Sequence, residues 1–138
     1  MPDALKSILV DDWENITKSY QLVRLPSLYP VNRVLDDYYN QESPRRNDPA
    51  SIDLLEEVVA GLKEYFNRSL GRILLYKYER GQYEDLLGRI DSPTDDLAGR
   101  QLADIYGAEH LLRLFGKIIH CLRLPYFASV LTCSSLAA

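Results

Sequence analysis

A chain of 138 residues is one domain's worth of polypeptide and short for two. Its composition, 46% hydrophobic and 26% charged with only 7 Gly and 7 Pro, lets burial offset the entropy of ordering, which excludes disordered, collagenous and low-complexity chains. Against 20 acidic residues stand 16 basic ones, for a net charge of -4 with no basic stripe, so direct nucleic-acid binding is not expected.

Chain order gives the elements. Pro2 and Asp3 open a first helix, at N1 and on the positive helix end respectively. At about 100° per residue, Leu5, Leu9, Trp13, Ile16 and Tyr20 form a narrow stripe, which predicts the core face. Ile8 and Val10 fall outside it, either as flanking core or, for Val10 beside Leu9 and Trp13, as part of a second apolar surface for a partner. Residues 21–29 read as extended chain, because Pro26 disfavours helix at Leu25. Pro30 then starts a short helix carrying Val31, Val34, Leu35 and Tyr38 at helical spacing, and residues 41–50 form a charged, proline-bearing loop.

The strongest element runs from about Ile52 to Leu75. Leu54, Leu55, Val58, Val59, Leu62, Tyr65, Phe66, Leu70 and Ile73 predict an apolar face about 160° wide, the mark of a central helix touched by several neighbours. Next come a turn at Gly81, a short helix ending near Gly88, and a loop over residues 91–101. From Ala108, Leu111, Leu112, Leu114, Phe115, Ile118, Ile119 and Leu122 resume helical spacing until Pro125 ends it. With no long β-alternation the fold class is all-α, leaving room for one small β-hairpin.

Catalysis lacks a constellation. The acid pairs Asp11/Asp12, Asp36/Asp37 and Glu56/Glu57 point apart on a helix and read as solvated surface. His110 and His120 form no H-E-x-x-H, and His120-Cys121 has no second ligand pair, so neither metal nor cofactor is expected. Gly116-Lys117 imitates the end of a phosphate loop, but Ile118 stands where Ser or Thr is needed. Cys121 and Cys133 form no C-x-x-C, and the acidic N-terminus is unlike a signal peptide; an intracellular, reducing setting is expected. The 10 tyrosines and 1 tryptophan are the better lead, since such rings dominate interface hot spots; Tyr76, Tyr78 and Tyr83 cluster after the long helix, either as core or as interface.

Four segments, ILVDDWENIT (8–17), LPSLYPVNRVLDDY (25–38), EEVVAGLKEYFNRSLGRILLYKYERGQY (56–83) and YGAEHLLRLF (106–115), together resemble the MRG domain of chromatin subunits. The resemblance covers about Leu5 to Phe115 in the family's order. It implies a nuclear, non-catalytic scaffold of histone acetyltransferase and deacetylase complexes, linked to transcription and DNA repair. Its partners would be proteins of those complexes carrying F-x-L-P-type peptides, with no membrane role. By position, the partner-peptide groove would consist of Leu9, Val10, Trp13, Tyr76, Phe115 and Lys117.

Two departures qualify the resemblance. The family's histone-reading chromodomain is not expected here, because the sequence opens on the MRG pattern. After LLRLF, Gly116-Lys117-Ile118 leads into an apolar run unlike the family's further amphipathic helices. Residues 1–117 are therefore read as the N-terminal and central part of the domain, and residues 118–138 as a divergent apolar tail, with the C-terminal helices missing or replaced. Such a chain would be either a docking scaffold or a truncated, inactive or inhibitory product. A tail-anchored membrane protein is the third reading, disfavoured by Arg123 and Pro125.

Overall fold

The computed structural model describes residues 1–123. Five α-helices carry this region: α1 (Asp3–Thr17), α2 (Val31–Glu42), α3 (Pro49–Ser69), α4 (Arg80–Asp91) and α5 (Ala108–Arg123). The class is all-α. Among the described residues the only β-type pairing is a bridge between Pro30 and Gly107, in place of a hairpin. None of the described helices is long and apolar enough to cross a membrane. Residues 124–138, most of the expected tail, lie outside the described residues, and α5 runs unbroken across the boundary drawn at Lys117.

Helix α3 is the axis. Asp48 caps it, its side chain accepting the Ser51 N–H at 3.3 Å, and Pro49 fills the first turn, so the helix begins three residues before Ile52. Leu55, Val59 and Phe66 are buried and Leu62 packs against them. Buried side chains of this size each contribute about 1.5–3 kcal/mol. Leu54, Val58 and Tyr65 are exposed, so the broad apolar face is only half covered among the described residues.

The long helix also ends sooner than its periodicity implies. At Leu70–Leu74 it widens into a π-turn and then extends at Leu75. Gly71 shows what the widening accommodates: a Cβ there would lie 2.7 Å from Tyr83 Cζ, so the ring of α4 packs directly onto the glycine backbone. Leu70 and Leu74 remain buried on the core side. Instead of a turn at Gly81, a single 3-10 turn (Lys77–Glu79) feeds α4, which holds both Gly81 and Gly88 within it.

The segment before α2 is tied across the molecule. Ser27 N–H donates to Ile105 O at 2.8 Å and Val31 N–H to Tyr106 O at 2.9 Å. These bonds hold α2 against the start of α5, with Val31 and Leu35 in the core. Tyr39 packs on that core, while Tyr38 of the same helix is exposed.

Helix α1 differs most from expectation. Pro2 is its N-cap, one position before N1. Its predicted core stripe is mostly exposed: Leu5, Trp13 and Tyr20 face solvent, Leu9 is half-buried, and only Ile16 is sealed. The inward line is Leu9–Asp12–Ile16, at i, i+3 and i+7. Asp12, expected on solvated surface, is buried because a partner on α5 meets it there.

Candidate functional site

Two stripes divide α5. Leu111, Leu114, Phe115 and Ile118 belong to the core, whereas Arg113, Gly116, Lys117 and His120, again at i, i+3, i+4 and i+7, line a cleft. Leu9 of α1 and the Ile73–Tyr76 segment complete it, enclosing about 530 Å3. Gly116 faces Leu9 across the cleft, where a Cβ would meet Leu9 Cδ1 at 3.4 Å, an ordinary van der Waals contact. The extended backbone at Leu75 and Tyr76 brings both side chains and Ile73 to the cleft, where Ile73 stays largely exposed.

Behind the cleft lies a buried ionic network. Arg113, 5% exposed, donates Nε and Nη2 to the two Asp12 carboxylate oxygens at 2.5 and 2.9 Å. Its Nη1 donates to Leu74 O at 3.0 Å and to Glu79 Oε2 at 2.6 Å. Glu79 Oε2 also accepts the Tyr76 N–H at 2.8 Å, and its Oε1 lies 2.9 Å from His110 Nε2. The guanidinium carbon sits 4.3 Å from the Tyr76 ring centroid, a cation–π contact in a desolvated setting.

Electrostatics follow from this packing. Burial works to raise Glu79, but hydrogen bonds from His110, Arg113 and the Tyr76 backbone, with the Arg113 charge, hold it down to about 2. Arg113 is depressed by burial and raised more by Asp12 and Glu79, so it stays charged. Burial pushes the Tyr76 phenol up, against the opposing pull of Arg113, with Asp12 and Glu79 adding to the rise. A neutral phenol therefore faces the cleft at physiological pH. Tyr106, stacked edge-on with His110 at 4.6 Å, is pushed up by burial and then by the Glu79 charge.

Of the residues expected in a groove, Leu9, Tyr76 and Lys117 line the cleft. Val10 and Trp13 lie outside its lining, on one flank of the Leu9–Ile16 line of α1, where both are exposed and Lys18 Nζ rests 5.2 Å from the indole centroid. Phe115 does not reach it: as part of the core stripe it packs inward, because residue 115 sits one turn from both Leu111 and Ile118. Ile73, Leu75, Gly116 and His120 line the cleft without having been singled out as groove residues. The network of Asp12, Glu79, His110 and Arg113 was also not anticipated. One signal for it lay in Arg113, a lone cation between Leu111-Leu112 and Leu114-Phe115.

The arrangement suits binding better than bond-making. His110 and Glu79 form a dyad of the acid–base type, yet they are 0% and 1% exposed and no substrate reaches them. Among the described residues no three His, Cys, Asp or Glu side chains converge as a metal site requires. What the cleft offers is an aliphatic and phenolic surface with Lys117 and His120 at its edge, beside the exposed apolar side chains of α1.

A protein-family model described as MRG matches residues 1–127, ten residues past Lys117. The chromatin modification-related protein eaf3 of Emericella nidulans is 54% identical over 118 residues, covering 86% of this chain and 35% of that protein. The protein of the same name in Yarrowia lipolytica is 47% identical over 116 residues, 83% of this chain and 29% of that one. Mortality factor 4-like protein 1 of Rattus norvegicus is 46% identical over 118 residues, 86% of this chain and 34% of that protein. The chain thus spans about a third of the length of these curated relatives. With an all-α fold and a family match over most of its length, the chain belongs to the MRG family.

Proposed function

We propose that this chain is a non-catalytic docking module of a nuclear chromatin complex, which holds an apolar, F-x-L-P-type segment of a partner protein against the α1–α5 cleft. The observation that carries this reading is the cleft itself, where Leu9, Ile73, Leu75 and Tyr76 gather apolar surface beside the solvent-facing Val10 and Trp13. An apolar cleft with exposed apolar side chains on its flank suits a partner's apolar segment. A partner Phe or Leu buried there gains about 1.5–3 kcal/mol before ordering costs. The relatives named for chromatin modification support placing the partner among subunits of histone acetyltransferase or deacetylase complexes.

Trp13 is exposed and aromatic, the residue type that most often dominates such interfaces. Trp13→Ala weakens binding of a labelled F-x-L-P peptide by about 2 kcal/mol, roughly thirtyfold, in a fluorescence-anisotropy titration. Because Trp13 is not in the core, the thermal melt stays cooperative. An unchanged dissociation constant in the folded variant removes Trp13 from the site; no binding by the parent chain removes the function.

A further inference from the structure

We propose that Arg113 is a positioning residue for the cleft: its guanidinium joins the three cleft walls and fixes the Tyr76 ring where a partner's apolar side chain meets it. This inference rests on the docking function above. The walls come from distant parts of the chain, α1 at Leu9, the segment Ile73–Tyr76, and the outward stripe of α5. Each is bonded to the same side chain. Asp12 ties it to α1, Leu74 O ties it to the segment after α3, and Arg113 itself rises from α5.

Tyr76 is held twice. The guanidinium lies against its ring at 4.3 Å, and Glu79 Oε2 binds both Arg113 Nη1 and the Tyr76 backbone N–H. The half-buried phenol keeps its remaining surface in the cleft. Only a planar fork satisfies this set: four donor contacts in fixed directions, with a flat face for the ring. Lysine keeps the charge but supplies a point donor with no such face. Arg113 therefore acts through pre-organisation, lowering the ordering cost when a partner binds.

The test uses the full chain, a fluorescent F-x-L-P peptide as probe, and 13C-labelled tyrosine. In the parent chain the peptide binds, and Tyr76→Ala weakens it. Arg113→Lys shifts the Tyr76 ring resonances in the free protein and weakens the peptide about tenfold for molecules that melt cooperatively. A purely structural role lowers the melting temperature and leaves the affinity of the folded molecules unchanged. A folded Arg113→Lys variant within twofold of the parent therefore overturns the proposal while leaving docking intact. Should the lysine variant not fold, the parent chain decides. There, an Arg113 Nε–H already protected from exchange in the free protein supports the role, whereas an Nε–H that gains protection only at peptide saturation overturns it. No binding to the parent chain overturns the docking function itself, and this inference with it.

Discussion

Replacing Glu79 by glutamine isolates the charge of the buried network. The carboxylate is 1% exposed and accepts from Arg113 Nη1 at 2.6 Å and Tyr76 N–H at 2.8 Å, with His110 Nε2 2.9 Å from its other oxygen. Its pKa falls from the ordinary 4.5 to about 2 on folding. At about 1.4 kcal/mol per pH unit, that difference is worth about 3 kcal/mol of stability. Because the folded value lies below the unfolded one, this contribution is complete above about pH 5. It is lost as pH falls from 4.5 toward 2, when the native carboxylate takes up its proton. Glutamine keeps one oxygen acceptor but removes the charge and its titration. Urea unfolding at pH 7, 4, 3 and 2 then shows Glu79→Gln less stable by about 3 kcal/mol at pH 7, with the gap closing near pH 2. Two curves that stay parallel over this window refute the assignment.

Two glycines in the same polypeptide stretch respond oppositely to alanine. Gly61→Ala in α3, where a Cβ meets nothing within 4 Å, raises stability by about 0.5–1 kcal/mol, whereas Gly71→Ala drives a methyl into the Tyr83 ring and lowers it by about 1–3 kcal/mol; thermal melts separate the two signs. Asp48→Ala removes the cap on Ser51 N–H and costs about 1 kcal/mol by urea unfolding, with α3 still formed by circular dichroism. Arg89→Ala breaks the exposed ion pair with Asp95 and changes stability by less than about 1 kcal/mol, which a shift of several degrees in melting temperature contradicts.

Much of the fold was legible in the residues because it obeys helical periodicity. Pro30 and the long apolar spacing of α3 have local causes, and so does the resumption of helix at Ala108, whereas the Asp48-Pro49 start lies within the stretch expected as loop. What escaped was tertiary. The π-turn at Leu70–Leu74 holds Gly71 directly against the Tyr83 ring, a contact no local pattern announces. Asp12 looks like any surface acid until Arg113, 101 residues away in the chain, comes within hydrogen-bond distance. The burial of α1 failed for a related reason: apolar spacing marks the side able to enter a core, but only Ile16 is sealed among the described residues, and Leu5, Val10 and Trp13 remain outside. At the cleft, Leu9, Tyr76 and Lys117 lie among the lining residues, while the spacing of Phe115 from Leu111 and Ile118 turns it toward the core.

The exposed stripe of Leu54, Val58 and Tyr65 on α3 is the competing apolar surface, far from α1 in sequence and separate from the cleft lining. Titrating an unlabelled F-x-L-P peptide into methyl- and tyrosine-labelled full chain, followed by NMR, distinguishes the two directly. Docking in the cleft predicts saturable shifts at Leu9, Ile73, Leu75 and Tyr76, with Leu54, Val58 and Tyr65 unmoved. Shifts confined to the α3 stripe, or none at millimolar peptide, contradict the account.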